Sequence, residues 1–193
     1  MNLLTNIDME TLWHMEFDNL FKTFFNVWYL SPLVSDLPPV GLWFETKDSA
    51  KVRYLCQKCG QGWTSMKGCV YFWYTLNISQ NVGILYFKLM GQTCQKCNDN
   101  RFEHPLWYPE EVIKVLRNIY YKVGQTFYGF VRPNFEKQRR PGKPRSQHAK
   151  NLCQACQMGF CSNSSSKENV PNSKTDTVQT VLVVRIANRN TES

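Results

Sequence analysis

The chain has 193 residues, of which 42% are hydrophobic and 14% aromatic, so it can form one domain with a substantial core. Its formal net charge of +8 at pH 7 favours acidic partners such as nucleic acid, anionic lipid or acidic protein segments. No apolar run approaches the roughly 20 residues of a membrane-spanning helix, and the N-terminus lacks the basic and apolar regions of a signal peptide, so we expect neither element.

The N-terminal quarter is predicted to hold a helix, a loop and two short strands. From Met9 to about Trp28 apolar residues recur at helical spacing, which predicts an amphipathic helix docked on the protein's own core. The alternative is a membrane-surface helix, but its polar face lacks the Lys and Arg enrichment typical of that class. Residues 31–40 contain three prolines and predict a loop. Short strands are predicted at 42–44 and 51–55.

Two longer strands and a second helix are predicted next. Residues 61–76 are rich in Trp, Tyr, Phe and Val, as strands are, and 82–90 form the return strand after a turn at 77–81. The second helix begins at Pro109, where Glu110 and Glu111 suit the N-terminal dipole, and its apolar face continues to Phe127.

The C-terminal part is polar and basic. Residues 136–150 carry six Lys or Arg side chains and are interpreted as a solvated linker. Residues 162–177 contain few residues to bury and are predicted to be disordered, whereas 178–187 fit a strand or a short helix equally. We therefore expect a domain at 9–161 and a disordered tail at 162–193.

The cysteines carry the strongest signal in the chain. Six of the eight form CxxC pairs, in which a tight turn can aim two thiolates at one metal. With His148 and Cys161 they supply two four-ligand sets for two structural zinc ions. The first set is a zinc ribbon with the ligands Cys56, Cys59, Cys94 and Cys97. The second set is a compact site with the ligands His148, Cys153, Cys156 and Cys161. A disulfide framework and a thioredoxin-like redox pair are the alternatives, and both fit a cytosolic chain with paired CxxC spacing less well.

Cys69 stands outside both sets and is interpreted as a small apolar residue in a strand. The predicted fold class is α+β. It consists of a zinc-ribbon-like antiparallel β meander flanked by two helices, a second local zinc site and a disordered tail.

Several strings resemble the 3CxxC-type zinc finger of the receptor-transporting proteins. Residues 56–65 (CQKCGQGWTS) and 91–97 (GQTCQKC) are similar to its two ribbon knuckles, and 102–105 (FEHP) and 115–119 (VLRNI) to the segments that follow. His148 with residues 153–161 (CQACQMGFC) is similar to its ending.

The resemblance implies an accessory protein without enzymatic activity. Such a protein promotes trafficking of G-protein-coupled chemosensory receptors, the odorant and taste classes, to the plasma membrane. The family's C-terminal membrane span has no counterpart in the polar tail, so we expect peripheral membrane association at the cytosolic face of the endoplasmic reticulum or plasma membrane. The strand at 70–74 is a candidate receptor contact, with core packing as the alternative.

Two other functional classes remain in consideration. The first is a nucleic-acid-binding zinc-finger protein, which the net charge and the basic stretch favour. The family resemblance implies an antiviral, innate-immune role for such a protein. The second is an enzyme. The sequence offers no Ser-His-Asp set and no glycine-rich phosphate loop, and every predicted zinc ligand is already used in a set of four.

Overall fold

The computed structural model describes residues 9–35, 37–131 and 148–161. The elements, in chain order, are α1 (Met9–Phe21), β1 (Val27–Pro32), β2 (Phe44–Leu55), β3 (Gly62–Asn77), β4 (Val82–Leu89), β5 (Gln92–Thr93), β6 (Phe102–Glu103), β7 (Leu106–Trp107), α2 (Pro109–Phe127), a 3-10 turn (Lys150–Leu152) and α3 (Gln154–Gln157). Within these ranges, no helix combines the length and the apolar character that crossing a membrane requires.

A five-stranded sheet in the order β1-β4-β3-β2-β7 forms the centre of the domain. The predicted antiparallel meander is confirmed, because β2, β3 and β4 pair as successive antiparallel neighbours. β1 lies at one edge and runs parallel to β4. The short strands β5 and β6 form a separate antiparallel ribbon.

Both long helices contribute to one apolar core with the sheet. Strand side chains alternate between the two faces, so every second residue of β3 points toward the helices. Those residues, Val70, Phe72 and Tyr74, are buried together with apolar residues of α1 and α2. We call this side the helix face and the opposite side, which carries Tyr71 and Trp73, the second face.

The predicted helix from Met9 to Trp28 is wrong at its C-terminal end. α1 ends at Phe21, and Trp28 lies in β1, where its indole packs over Gly83 of β4. The Thr23 hydroxyl donates a hydrogen bond to the carbonyl of Leu20 (2.8 Å), an alternative bonding pattern that competes with helix continuation. Trp28 is still buried in the same core as the apolar face of α1. The helical spacing of apolar residues therefore continues to Trp28 although the helix itself ends at Phe21.

The two short strands predicted at 42–44 and 51–55 are replaced by one long strand, β2, which begins at Phe44 and runs to Leu55, so residues 42 and 43 lie before it. The polar residues between the two predicted segments also belong to β2, and several of their side chains form hydrogen bonds with residues elsewhere in the fold. The Tyr71 hydroxyl donates to Glu45 (2.6 Å), and Lys47 donates to the carbonyl of Phe160 (2.7 Å). α2 and β3 match their predicted positions. Most of the basic stretch at 136–150, the tail at 162–193 and its segment 178–187 lie outside the described residues.

Candidate metal centres

Two similar turns position the first group of ligands. Cys56 follows β2, and its carbonyl accepts the amide of Gly60 (2.9 Å); Cys94 follows β5, and its carbonyl accepts the amide of Asn98 (2.8 Å). Gly60 and Asn98 adopt positive φ angles of 69° and 46°, a backbone region that glycine and asparagine tolerate best. Each CxxC turn therefore closes on itself and directs its thiols to one side.

The four sulfur atoms of these turns have the separations that a tetrahedral zinc site needs. The Sγ atoms of Cys56 and Cys97 are 3.7 Å apart and those of Cys59 and Cys94 are 3.8 Å apart. A Zn–S bond of about 2.3 Å places tetrahedral sulfurs about 3.8 Å apart. All eight cysteines are free, and these separations far exceed the roughly 2.05 Å of a disulfide. The first cluster therefore fits zinc.

A buried carboxylate supports the first turn. Glu103 on β6 is 4% exposed, and it accepts the backbone amide of Gln57 (3.1 Å) and the guanidinium of Arg101 (3.0 Å). Burial acts to raise the pKa of Glu103, but hydrogen bonds from Gln57, Cys56 and Arg101 outweigh burial and lower the pKa. Glu103 is thus ionised at neutral pH and fixes the turn that carries Cys56.

The second group of ligands comes from the short segment 148–161. Nε2 of His148 lies 3.1 Å from Sγ of Cys156, and the Sγ atoms of Cys153 and Cys161 are 3.8 Å apart. The amides of Phe160 and Cys161 both donate to the carbonyl of Ala155, which wraps the end of the segment around its helix. These four donor atoms all lie within 4.8 Å of one another, as do those of the first cluster.

The second cluster is docked on the sheet. Gln154 donates its backbone amide to the carbonyl of Gly91 (3.1 Å), and its side-chain oxygen accepts the amide of Gly91 (2.8 Å). Cys153 forms an isolated β-bridge with Gln92. The ring of Phe160 packs on Tyr71 of the second face, with 4.2 Å between ring centroids. The ligands are therefore local in sequence, but the segment that carries them is held by β3 and the 91–92 backbone.

Cys69 belongs to neither four-ligand set. It is half-buried on β3 and packs against an apolar cluster that includes Met90 and Ala155. Burial, followed by nearby thiols, raises the pKa of Cys69 to about 11. These surroundings match its interpretation as a small apolar residue. His14 and His104 are likewise absent from the two sets found among the described residues.

The strand segment 70–74 faces the protein interior for the most part. Val70, Phe72, Trp73 and Tyr74 are buried, and Tyr71 lies beneath Phe160. The core-packing alternative therefore describes this segment. Exposed apolar residues occur instead on β1 and on the connection to β2, which we call the apolar loop (residues 33–43). They are Val27, Tyr29, Val34, Leu37, Val40 and Leu42.

Sequence reasoning missed three supporting residues: Glu103, Gln154 and Phe160. Glu103 had a signal, because it lies in the string 102–105 on which the family resemblance rests. Gln154 and Phe160 occupy non-ligand positions between cysteines, and their partners Gly91 and Tyr71 are more than 60 residues away in sequence. No local pattern indicates such contacts.

These features define a zinc-ribbon protein with a second histidine-cysteine cluster. Residues 49–159 match the 3CxxC zinc ribbon, described as a zinc-binding domain, and this range includes every predicted ligand except Cys161. The chain is 27% identical over 97 residues to receptor-transporting protein 4 of Mus musculus, covering 50% of this chain and 39% of that protein. It is 25% identical over 120 residues to receptor-transporting protein 4 of Homo sapiens, covering 58% and 40% respectively.

The matched region thus spans about two fifths of each relative's length. No solved structure matches the chain. The chain belongs to the receptor-transporting protein family, whose 3CxxC zinc-binding domain covers more than half of its sequence.

Proposed function

We propose that the domain at 9–161 holds two structural zinc ions, one in each four-ligand set. The sulfur–sulfur distances carry this proposal: they are 3.7 and 3.8 Å in the first cluster and 3.8 Å in the second, close to the separation in tetrahedral Zn–S geometry. Four protein ligands per ion leave no open position, as in structural zinc sites. Mass spectrometry under native conditions should detect two zinc ions per chain, and a metal-free protein that keeps its full fold would contradict the proposal.

The second part of the proposed function is that this zinc-stabilised domain promotes trafficking of G-protein-coupled chemosensory receptors to the plasma membrane. Its similarity to two proteins named for receptor transport carries this part. The chain would act at the cytosolic face of the endoplasmic reticulum or plasma membrane as a binding protein, with the receptor as its partner.

An exposed apolar surface supports a binding role. The side chains of Val34, Val40 and Leu42 in the apolar loop are 91%, 100% and 95% exposed. Several exposed apolar side chains on one loop are candidates for contact with another molecule. Tyr29 on the neighbouring edge strand β1 is also more than half exposed. These residues replace the strand at 70–74 as the candidate receptor contact.

Hydrogen bonds hold the apolar loop in place. Lys88 on the second face donates to the carbonyl of Ser35 (2.7 Å), and the amide of Leu37 donates to the Ser35 hydroxyl (3.0 Å). The indole of Trp43 donates to the carbonyl of Val40 (3.1 Å), and its ring packs against Tyr86. A fixed loop loses less conformational entropy when a partner binds, so its apolar side chains are presented in advance.

Surface labelling of a panel of odorant and taste receptors in cells that co-express this chain tests the proposal. We expect the wild type to raise receptor surface levels and a Cys153→Ser variant to fail. A Val40→Asp, Leu42→Asp double variant should also fail. Ile78→Asp is the matched control, because Ile78 is 77% exposed on the β3–β4 turn, outside the apolar loop. Unchanged receptor levels with the wild type would refute the trafficking role.

Nucleic-acid binding is the second candidate function, and the net charge of +8 favours it. Phosphate contacts release counterions, so the affinity of such a protein falls steeply with salt concentration. Titration of purified protein against single-stranded RNA at several salt concentrations distinguishes the two functions. A steep salt slope together with no effect on any receptor would favour the nucleic-acid role.

A further inference from the structure

A short stretch of backbone, residues 90–93, lies between the two metal clusters. Thr93 directly precedes Cys94, a ligand of the first cluster. Gln92, one residue earlier, forms the β-bridge with Cys153, a ligand of the second cluster. The carbonyl of Met90 accepts a hydrogen bond from the buried Tyr54 hydroxyl (3.1 Å), which fixes the start of the stretch. Both clusters therefore adjoin this one stretch, the first at its C-terminal end and the second at Gln92.

Gln154 makes the most specific contact across this boundary. Its backbone amide donates to the carbonyl of Gly91, and its side-chain oxygen accepts the amide of Gly91. Both backbone polar groups of Gly91 are therefore hydrogen-bonded to Gln154. A hydrogen-bonded pair of this kind fixes the position and the direction of the 91–92 backbone. Gln154 is a neighbour of Cys153 but is itself no metal ligand.

The contacts continue from this stretch to the first CxxC turn. Gln92 pairs with Glu103 in the β5–β6 ribbon, and the carboxylate of Glu103 accepts the amide of Gln57 beside Cys56. The side chain of Gln92 also accepts the indole N–H of Trp63 (2.9 Å). Hydrogen bonds and the 91–94 backbone together therefore link Gln154 to both CxxC turns of the first cluster.

We propose that the two zinc sites bind metal cooperatively and that Gln154 is the positioning residue that couples them. Zinc at the second site orders segment 148–161, and Gln154 then clamps the backbone that leads into Cys94. The first site consequently has less conformational freedom to lose when its own zinc binds. Coupling of this kind is reciprocal, and typical couplings change affinity by about 5- to 150-fold. The inference rests on the two zinc ions proposed above.

Three zinc-binding constants, measured by chelator competition, give the coupling. The first two come from variants in which both cysteines of one CxxC pair, at 56 and 59 or at 153 and 156, are replaced by serine. The third is the overall two-zinc constant of the wild type. Cooperative binding makes this overall constant exceed the product of the two single-site constants by the coupling factor, which we expect to be about 5- to 150-fold.

Gln154 is tested with all eight ligands in place. Gln154→Ala should lower the overall two-zinc constant by about 5-fold or more, and Gln154→Glu should retain it, because a carboxylate oxygen can still accept the Gly91 amide. Gln157→Ala is the matched control, since Gln157 is on the same helix and its side-chain amide donates to the nearby carbonyl of Asn151 rather than to residues 90–93.

Two outcomes would overturn the coupling. One is an overall constant equal to the product of the single-site constants, and the other is a Gln154→Ala variant that binds zinc as the wild type does. Two zinc ions that load independently would refute this inference alone. A chain that binds no zinc would refute it together with the zinc part of the proposed function.

Discussion

Replacing Gly91 by alanine should disturb both metal clusters with one methyl group. A Cβ atom at position 91 would lie 2.8 Å from Cβ of Phe102 and 2.9 Å from the carbonyl oxygen of Glu103. Ordinary Cβ contacts begin near 3.4 Å, so β6 must retreat by about 0.6 Å, the difference between 3.4 and 2.8 Å. The oxygen is a backbone atom, so a side-chain rotation cannot relieve the contact.

The energetic cost follows from two terms. Overpacking of a well-packed interior typically costs about 1–3 kcal/mol. A shift of residue 91 also strains its hydrogen bonds to Gln154, each of which contributes about 1 kcal/mol. The folded state gains a little because alanine has less conformational freedom to lose on folding than glycine, about 0.5–1 kcal/mol. We expect the free energy of unfolding to fall by about 1–4 kcal/mol.

Urea unfolding at a fixed free zinc concentration measures this change, and chelator competition measures zinc affinity in the same variant. Gly62→Ala is the matched control. Gly62 lies at the start of β3, and its Cβ would meet the Arg53 guanidinium at an ordinary 3.5 Å. The reasoning fails if Gly91→Ala stays within about 0.5 kcal/mol of the wild type, or if both substitutions destabilise the protein equally.

Three further predictions concern the clusters themselves. Phe160→Ala removes the ring that packs on Tyr71 and should weaken zinc binding at the second site by roughly 10-fold, since a half-buried aromatic contact contributes about 1–2 kcal/mol. Chelator competition measures this affinity, and an unchanged value would contradict the prediction. Cys69→Ser should still bind two zinc ions by native mass spectrometry, and loss of either ion would overturn the ligand assignment. Without metal, the Cys59 thiol, burial and the Cys56 thiol raise the pKa of Cys97 to about 12, so this thiol is protonated at neutral pH and zinc must displace its proton. Zinc affinity should therefore fall as pH falls, and calorimetry in buffers of different ionisation enthalpy should detect net proton release.

The sequence predicts the elements whose signals are local. α2 is identified by Pro109, two acidic residues and one continuous apolar face, and all of these act within the helix itself. β3 and β4 are identified by their aromatic and β-branched composition. The paired sulfurs of each CxxC follow from its spacing, because each tight turn needs only its own residues to bring two sulfurs together. These parts of the fold depend little on distant contacts.

The remaining features depend on distant contacts. Trp28 belongs to a strand because Gly83 leaves space for its indole, and the two residues are far apart in sequence. The docking of the second cluster depends on Gly91 and Tyr71 in the same way. Composition and periodicity report what a segment favours in isolation, so they cannot identify such partners.

The two sides of the sheet are stabilised by different means. On the helix face, α1 and α2 bury large aromatic side chains such as Trp13 and Phe17. On the second face, the covering segment contains only a 3-10 turn and the four-residue helix α3. Isolated helices shorter than about 12–15 residues are marginal in water, so this segment depends on its contacts and on the zinc ion proposed for it.

The proposed receptor-contact loop is anchored on the same second face. Lys88, which holds Ser35, is the cross-strand partner of Tyr71, on which Phe160 packs. Tyr86, which packs against Trp43 of the loop, is the cross-strand partner of Trp73. Loss of zinc from the second site would free Phe160 and remove the cover from Tyr71 and Trp73, next to both loop anchors. A zinc requirement for receptor trafficking therefore has a structural route that runs from the ligands of segment 148–161, through two cross-strand pairs, to the apolar loop.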